Sequence, residues 1–139
     1  MKEKIVISIN PEHVNHIIQG TKKFEYRKRV AKKDVSSLII YETAPVKRVV
    51  AEAEIIEVLA MSPEELWEKT KDQSGISKEF FDSYFKGRKT AYAYKLGQIK
   101  VFKEARPLSY YGLRNAPQSF AYVSGRWSER PRRSKRPCR

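Results

Sequence analysis

Residues 8–29, SINPEHVNHIIQGTKKFEYRKR, contain a change of period that decides the fold. Asn10 before Pro11 is a helix start, because Asn favours the N-cap and proline tolerates the first helical position. Val14, Ile17 and Ile18 then recur at helical spacing, and Gly20 is a stop signal. After the glycine the period falls to two. Thr21, Lys23, Glu25, Arg27 and Arg29 form one alternating set, and Lys22, Phe24, Tyr26, Lys28 and Val30 the other. On a strand, Phe24 and Tyr26 point into a core while Glu25 and Arg27 share the opposite face. Five cations lie within ten residues here, so that face is cationic and braced by one glutamate.

The flanking sequence continues in short strands. KIVISIN precedes the helix, and VSSLIIYET and RVVAEAEIIEVLA follow the basic segment, the second long enough to bend. SPEELWEKT is a helix with Ser62 as cap, Pro63 first and Glu65 completing a capping box. SKEFFDSYF is a second helix, ended by Gly87. KTAYAYKLG and IKVFKEARP read as two more strands, PLSYYGL as a turn of helix and PQSFAYV as an edge element. The predicted class is α+β: a small mixed or antiparallel β-barrel with inserted helices over residues 1–123, then a basic tail over 124–139, expected to be disordered and to bind phosphate without reading sequence. No glycine-rich phosphate turn follows a strand, which excludes a Rossmann reading.

Composition narrows the function. The 139 residues carry 29 Lys and Arg against 16 Asp and Glu, a net charge of +13, which favours a polyanionic partner, nucleic acid first. No run of about 18 apolar residues spans a membrane and no signal-peptide pattern opens the chain, so no membrane partner is expected and the location expected is cytoplasmic. The single cysteine, Cys138, leaves no disulfide framework. His13 and His16 sit three apart on the first helix without a third ligand at matching spacing, so neither a metal nor another cofactor is expected. The helix pair at 62–85 is not a DNA-reading pair, since Phe80, Phe81, Tyr84 and Phe85 make its second helix a burial face. Tyr110 and Tyr111 precede Gly112 in a loop and are the tyrosines freest to meet a ligand. The sequence assigns no oligomeric state.

The segment Gly20, Lys22, Glu25 and Arg27, followed by LIIYETAPVKRVVAEAEI, resembles the ASCH superfamily of PUA-like β-barrels, whose first helix ends in a Gly-x-Lys-x-x-Glu-x-Arg type segment. The later helices and PQSF are similar to a subgroup described as predicted transcriptional regulators, and the likeness covers about residues 4–123. The resemblance implies a basic cleft between barrel and first helix that binds RNA or a nucleotide-like ligand. The residues assigned to it are Lys22, Glu25, Arg27, Lys28 and Arg29, with His16 one turn before the glycine. Arg27 would be oriented by Glu25 and offer a planar fork to phosphate or a base edge.

Some ASCH relatives are amidohydrolases of acetylated cytidine that use a lysine, a threonine nucleophile and a glutamate. Lys22 matches the lysine, but the threonine position is Glu25, and a carboxylate does not replace an acyl-accepting hydroxyl. Other relatives are described as ribonucleases, and Lys22 with Glu25 could activate a ribose 2′-hydroxyl by general acid–base chemistry. The reading adopted is an RNA-binding module of regulatory type. An RNA- or nucleoside-processing enzyme using the same cleft is the alternative.

Overall fold

The computed structural model describes residues 3–123; the basic tail set apart by the sequence lies outside them. Six strands form one mixed sheet: β1 (Glu3–Ile9), β2 (Phe24–Arg27), β3 (Val35–Glu42), β4 (Arg48–Met61), β5 (Ala91–Arg106) and β6 (Phe120–Val123). Helix α1 (Pro11–Gln19) follows β1, while α2 (Pro63–Thr70) and α3 (Lys78–Tyr84) are inserted between β4 and β5. The strand order is β2-β5-β4-β3-β1-β6, with β1 and β3 parallel and the other neighbours antiparallel.

The sheet is open, which corrects the expected barrel. Its edges are β2 and β6, each four residues long, and neither pairs with the other. No ladder joins those two edges, so the ring that a barrel needs is not closed. Three register shifts along the β4–β5 ribbon bend the two longest strands instead. One shift explains why two predicted strands are a single β5. Gly97 marks a bulge, where a Cβ would collide with Glu54 Oε1 and the next amide, Gln98 N, donates to that same oxygen at 3.1 Å.

Strand β1 is covered on both sides, as a parallel-paired strand requires. Ile5, Ile7 and Ile9 pack with Leu38 and Ile40 under Val14 and Ile17 of α1, while Val6 meets Ile39, Tyr41, Val49 and Tyr111 behind. A separate cluster joins Phe24 and Tyr26 of β2 to Leu66 of α2 and to Phe81 and Phe85 beyond. Both inserted helices carry serine caps, Ser62 with the expected capping box complete and Ser77 accepting from Phe80 N. Two aromatic expectations change. Tyr111 is buried, its hydroxyl accepting from Arg106 Nη1 at 2.9 Å, and Phe80 is 48% exposed and turned away from the α3 core.

The two neighbouring phenylalanines therefore separate core from lip. Phe81→Ala is expected to lower unfolding free energy by about 3–5 kcal/mol, and Phe80→Ala by well under half of that, as read by urea denaturation. Equal effects would place both rings in the core or neither.

Candidate functional site

Helix α1 ends at Gly20, whose φ of +88° lets the chain reverse, and the His16 carbonyl accepts from the amides of Thr21 and Lys22 at 3.0 and 3.1 Å. This aims Lys22 inward, and the chain then enters β2. The segment after α2 closes over it: Lys23 N donates to the Gln73 carbonyl at 2.9 Å, and Lys22 Nζ donates to the Ser74 carbonyl at 3.1 Å. Gly75 (φ +69°) lies so close that a Cβ there would strike the Lys22 Cβ and approach its Cγ to 2.8 Å.

The result is a cleft of about 200 Å³ between β1, the start of α1, β2 and α3. Ser8, Ile9, Asn10 and His13 line one side, Lys22, Glu25 and Arg27 another, and Ile76, Phe80 and Tyr84 the third. Lys22 is 3% exposed and Glu25 5%, so neither behaves as a surface charge. Arg27 Nε and Nη2 both donate to Glu25 Oε2, at 3.1 and 3.0 Å, and Nη2 also donates to the Ser8 carbonyl at 2.7 Å. Arg27 thus spans the gap between β2 and the end of β1, which no ladder bridges. Glu25 Oε1 is buried and has no hydrogen-bond partner among the described residues, and the same holds for His13 Nδ1.

The electrostatics follow from burial. Desolvation pushes the Lys22 pKa below its ordinary value, opposed by the nearby Glu25 carboxylate. Its ammonium also sits 4.8 Å from the Tyr26 ring centroid. Burial lowers the pKa of His13, with Lys22 adding to the effect, so the neutral imidazole is favoured. The Tyr26 phenol is pushed up to about 12, mainly by burial. Thr70 gives its hydroxyl hydrogen to the Leu66 carbonyl at 2.7 Å, so in the 2.6 Å contact between Tyr26 and Thr70 the tyrosine donates.

Of the six residues assigned from sequence, Lys22, Glu25 and Arg27 meet in this cleft. Lys28 and Arg29 line a separate groove with Lys32, Arg88 and Lys89. The two are adjacent, because Lys28 Nζ lies 4.9 Å from the ring of Tyr84, a cleft residue, and Arg88 Nη2 donates to the Lys28 carbonyl at 3.1 Å. His16 lines a third depression beyond α1 and serves the cleft through its backbone carbonyl. The cleft histidine is His13, whose ring faces Phe80 at 5.4 Å. The Asn10 side chain accepts from Thr43 Oγ1 at 3.2 Å and makes no capping bond. Arg27 is oriented by Glu25, as the alternation implies, but its fork is also engaged by the Ser8 carbonyl, which no sequence periodicity reveals.

The family model of the ASCH domain matches residues 7–102. The chain belongs to the ASCH domain family. Over 122 residues it is 28% identical to large ribosomal subunit protein uL22 of Ureaplasma parvum, covering 87% of this chain and 39% of that protein. It is 31% identical over 96 residues to an ASCH domain-containing ribonuclease of Zymomonas mobilis, covering 68% of this chain and 65% of that one. The chain thus spans less than two thirds of either relative's length. The crystal structure of ASCH from Zymomonas mobilis superposes with a TM-score of 0.82 at 24% identity over 92% of both chains, a likeness of fold.

Gly75 tests how the cleft is built. Gly75→Ala is expected to destabilise by about 1–3 kcal/mol more than Gly87→Ala. Both replace a positive-φ glycine, a cost of about 1–2 kcal/mol, but a Cβ at Gly87 meets nothing within 4 Å. Matching losses in thermal or urea unfolding would remove the close approach to Lys22.

Proposed function

We propose that this ASCH domain binds single-stranded RNA, the cleft of Lys22, Glu25 and Arg27 receiving one nucleotide and the groove of Lys28, Arg29, Lys32, Arg88 and Lys89 carrying its flanking phosphates. The observation that carries the reading is the adjacency of the two: a cleft of about 200 Å³ opens beside a groove lined by five cations. The groove cations are free of carboxylate partners within 4 Å among the described residues, whereas the cleft's Arg27 is held by Glu25. Unpaired surface cations suit the phosphate backbone, which rewards charge without demanding sequence. Duplex DNA is disfavoured, because Phe81 and Phe85 of the inserted pair are buried and the exposed face of α3 carries the acids Glu79 and Asp82, the latter paired with the only cation of that helix, Lys78. A regulatory RNA-binding role in the cytoplasm is part of the same reading.

A second reading rests on the Zymomonas mobilis ribonuclease. A processing enzyme would place Lys22 and Glu25 on either side of a bound ribose, the depressed Lys22 pKa bringing its proton closer to neutral exchange. Deacetylation by the threonine route is disfavoured, since Glu25 occupies that position.

Binding of a short labelled single-stranded RNA, measured from 50 to 300 mM salt (about that range), separates groove from cleft. Arg29→Ala and Lys89→Ala are each expected to lower the log–log salt slope by about 0.7, while Lys103→Ala leaves it unchanged. Equal losses at all three positions would reduce the interaction to net charge and overturn the groove assignment. Shortened RNA products that vanish with Lys22→Met in a folded protein would favour the second reading.

A further inference from the structure

The floor of the cleft offers a hydrogen-bond acceptor beside its two cations. Each of those cations has already given part of its donor set to the protein. Lys22 Nζ donates to the Ser74 carbonyl and lies over Tyr26, and Arg27 gives Nε and Nη2 to Glu25 and Nη2 again to Ser8. The carboxylate acceptor left over is Glu25 Oε1, buried, without a partner, on a residue 5% exposed. A carboxylate oxygen in that state repels phosphate and calls for a hydrogen donor, because an unsatisfied buried acceptor costs about 1–3 kcal/mol. The nearby His13 Nδ1, equally unpartnered on a favoured neutral ring, supplies a second polar point that can donate or accept.

The walls narrow the kind of donor. Tyr26, Phe80, Tyr84 and His13 are flat rings, Ile9 and Ile76 are aliphatic, and Phe80 and Tyr84 lie within 6° of parallel. Flat apolar walls over a polar floor suit a planar heterocycle entering edge first, as bases taken out of a stack are held. A ribose would meet the same walls with its hydroxyls pointing in several directions. We propose that the cleft takes one unpaired nucleobase by its Watson–Crick edge, whose ring or amino N–H donates to Glu25 Oε1 and so makes that edge the determinant of binding. This rests on the RNA-binding reading and specifies which part of the strand enters the cleft.

The test uses the whole protein and hexamer RNAs of uridine, cytidine or adenosine. Each is compared with a counterpart whose N–H edge is removed by methylation: N3-methyluridine, N4,N4-dimethylcytidine or N6,N6-dimethyladenosine. For the preferred base, methylation is expected to weaken binding about tenfold or more, the scale of a hydrogen bond to a charged group. The matching deoxyribose hexamer should lose far less. Glu25→Gln, checked for folding by thermal denaturation, should shrink the methylation effect to about twofold while retaining the salt slope set by the groove. Indifference to methylation with all three bases would overturn the proposal, whether a water or nothing meets Oε1. A loss that follows removal of the 2′-hydroxyl would also overturn it and assign Oε1 to the ribose. RNA binding retained in either case would leave the broader reading standing, whereas no binding of any hexamer would remove both. The wild-type series decides the matter even if Glu25→Gln does not fold.

Discussion

Arg27 makes three hydrogen bonds with two nitrogens, two to Glu25 Oε2 and one to the Ser8 carbonyl, and the cleft depends on them. β2 is a four-residue edge strand that pairs only with β5, so its other side has no ladder to hold it. A guanidinium fills that role because its donors form a rigid fork able to serve a carboxylate and a carbonyl together. A buried ion pair is a poor source of net stability, since desolvation consumes much of the Coulomb gain. Its contribution here is geometric: it ties the β2 edge to β1, fixes the Glu25 carboxylate and leaves that carboxylate's other oxygen without a partner.

The inserted helices make that arrangement rigid. Tyr26 stands edge-on to Phe81 and Phe85, Trp67 packs against Phe81, and the Tyr26 hydroxyl is held by Thr70 at the end of α2. The next residues, Ser74 and Gly75, fasten and crowd Lys22. One insertion therefore covers the β2 core face and secures the lysine at the cleft. Its outer rim, Phe80 and Tyr84, forms the aromatic lip where a planar ligand would enter. Core packing and ligand site share α3, so damage to the Phe81 cluster reaches the site without touching it.

Much of this was legible locally. Pro11 after Asn10, Gly20 at the helix end, Ser62 with Glu65, and the alternation of Phe24 and Tyr26 against Glu25 and Arg27 are short-range signals, and the elements follow them. What depends on distant partners was not. Closure of the sheet is set by which edges pair, and the four-residue lengths of β2 and β6 show only once the ladders are known. Gly97 reads as a strand break until Glu54 is seen accepting from the following amide. The burial of Glu25, the choice of His13 over His16 and the approach of Gly75 to Lys22 come from segments far apart in the chain, Lys22 and Ser74 being 52 residues from one another. Lys32, Arg88 and Lys89 join Lys28 and Arg29 only through the turn after α3.

A double-mutant cycle on Glu25 and Arg27 bears most directly on this account. Unfolding free energies of the wild type, Glu25→Gln, Arg27→Met and the double variant would be taken from urea denaturation. Each single change strands a buried charge or dipole and should cost about 3–5 kcal/mol. The double variant should cost less than the sum of the two by about 1.5 kcal/mol or more. Additivity within about 0.5 kcal/mol would mean that the two side chains act independently, and the cleft would then lack the pair that organises it.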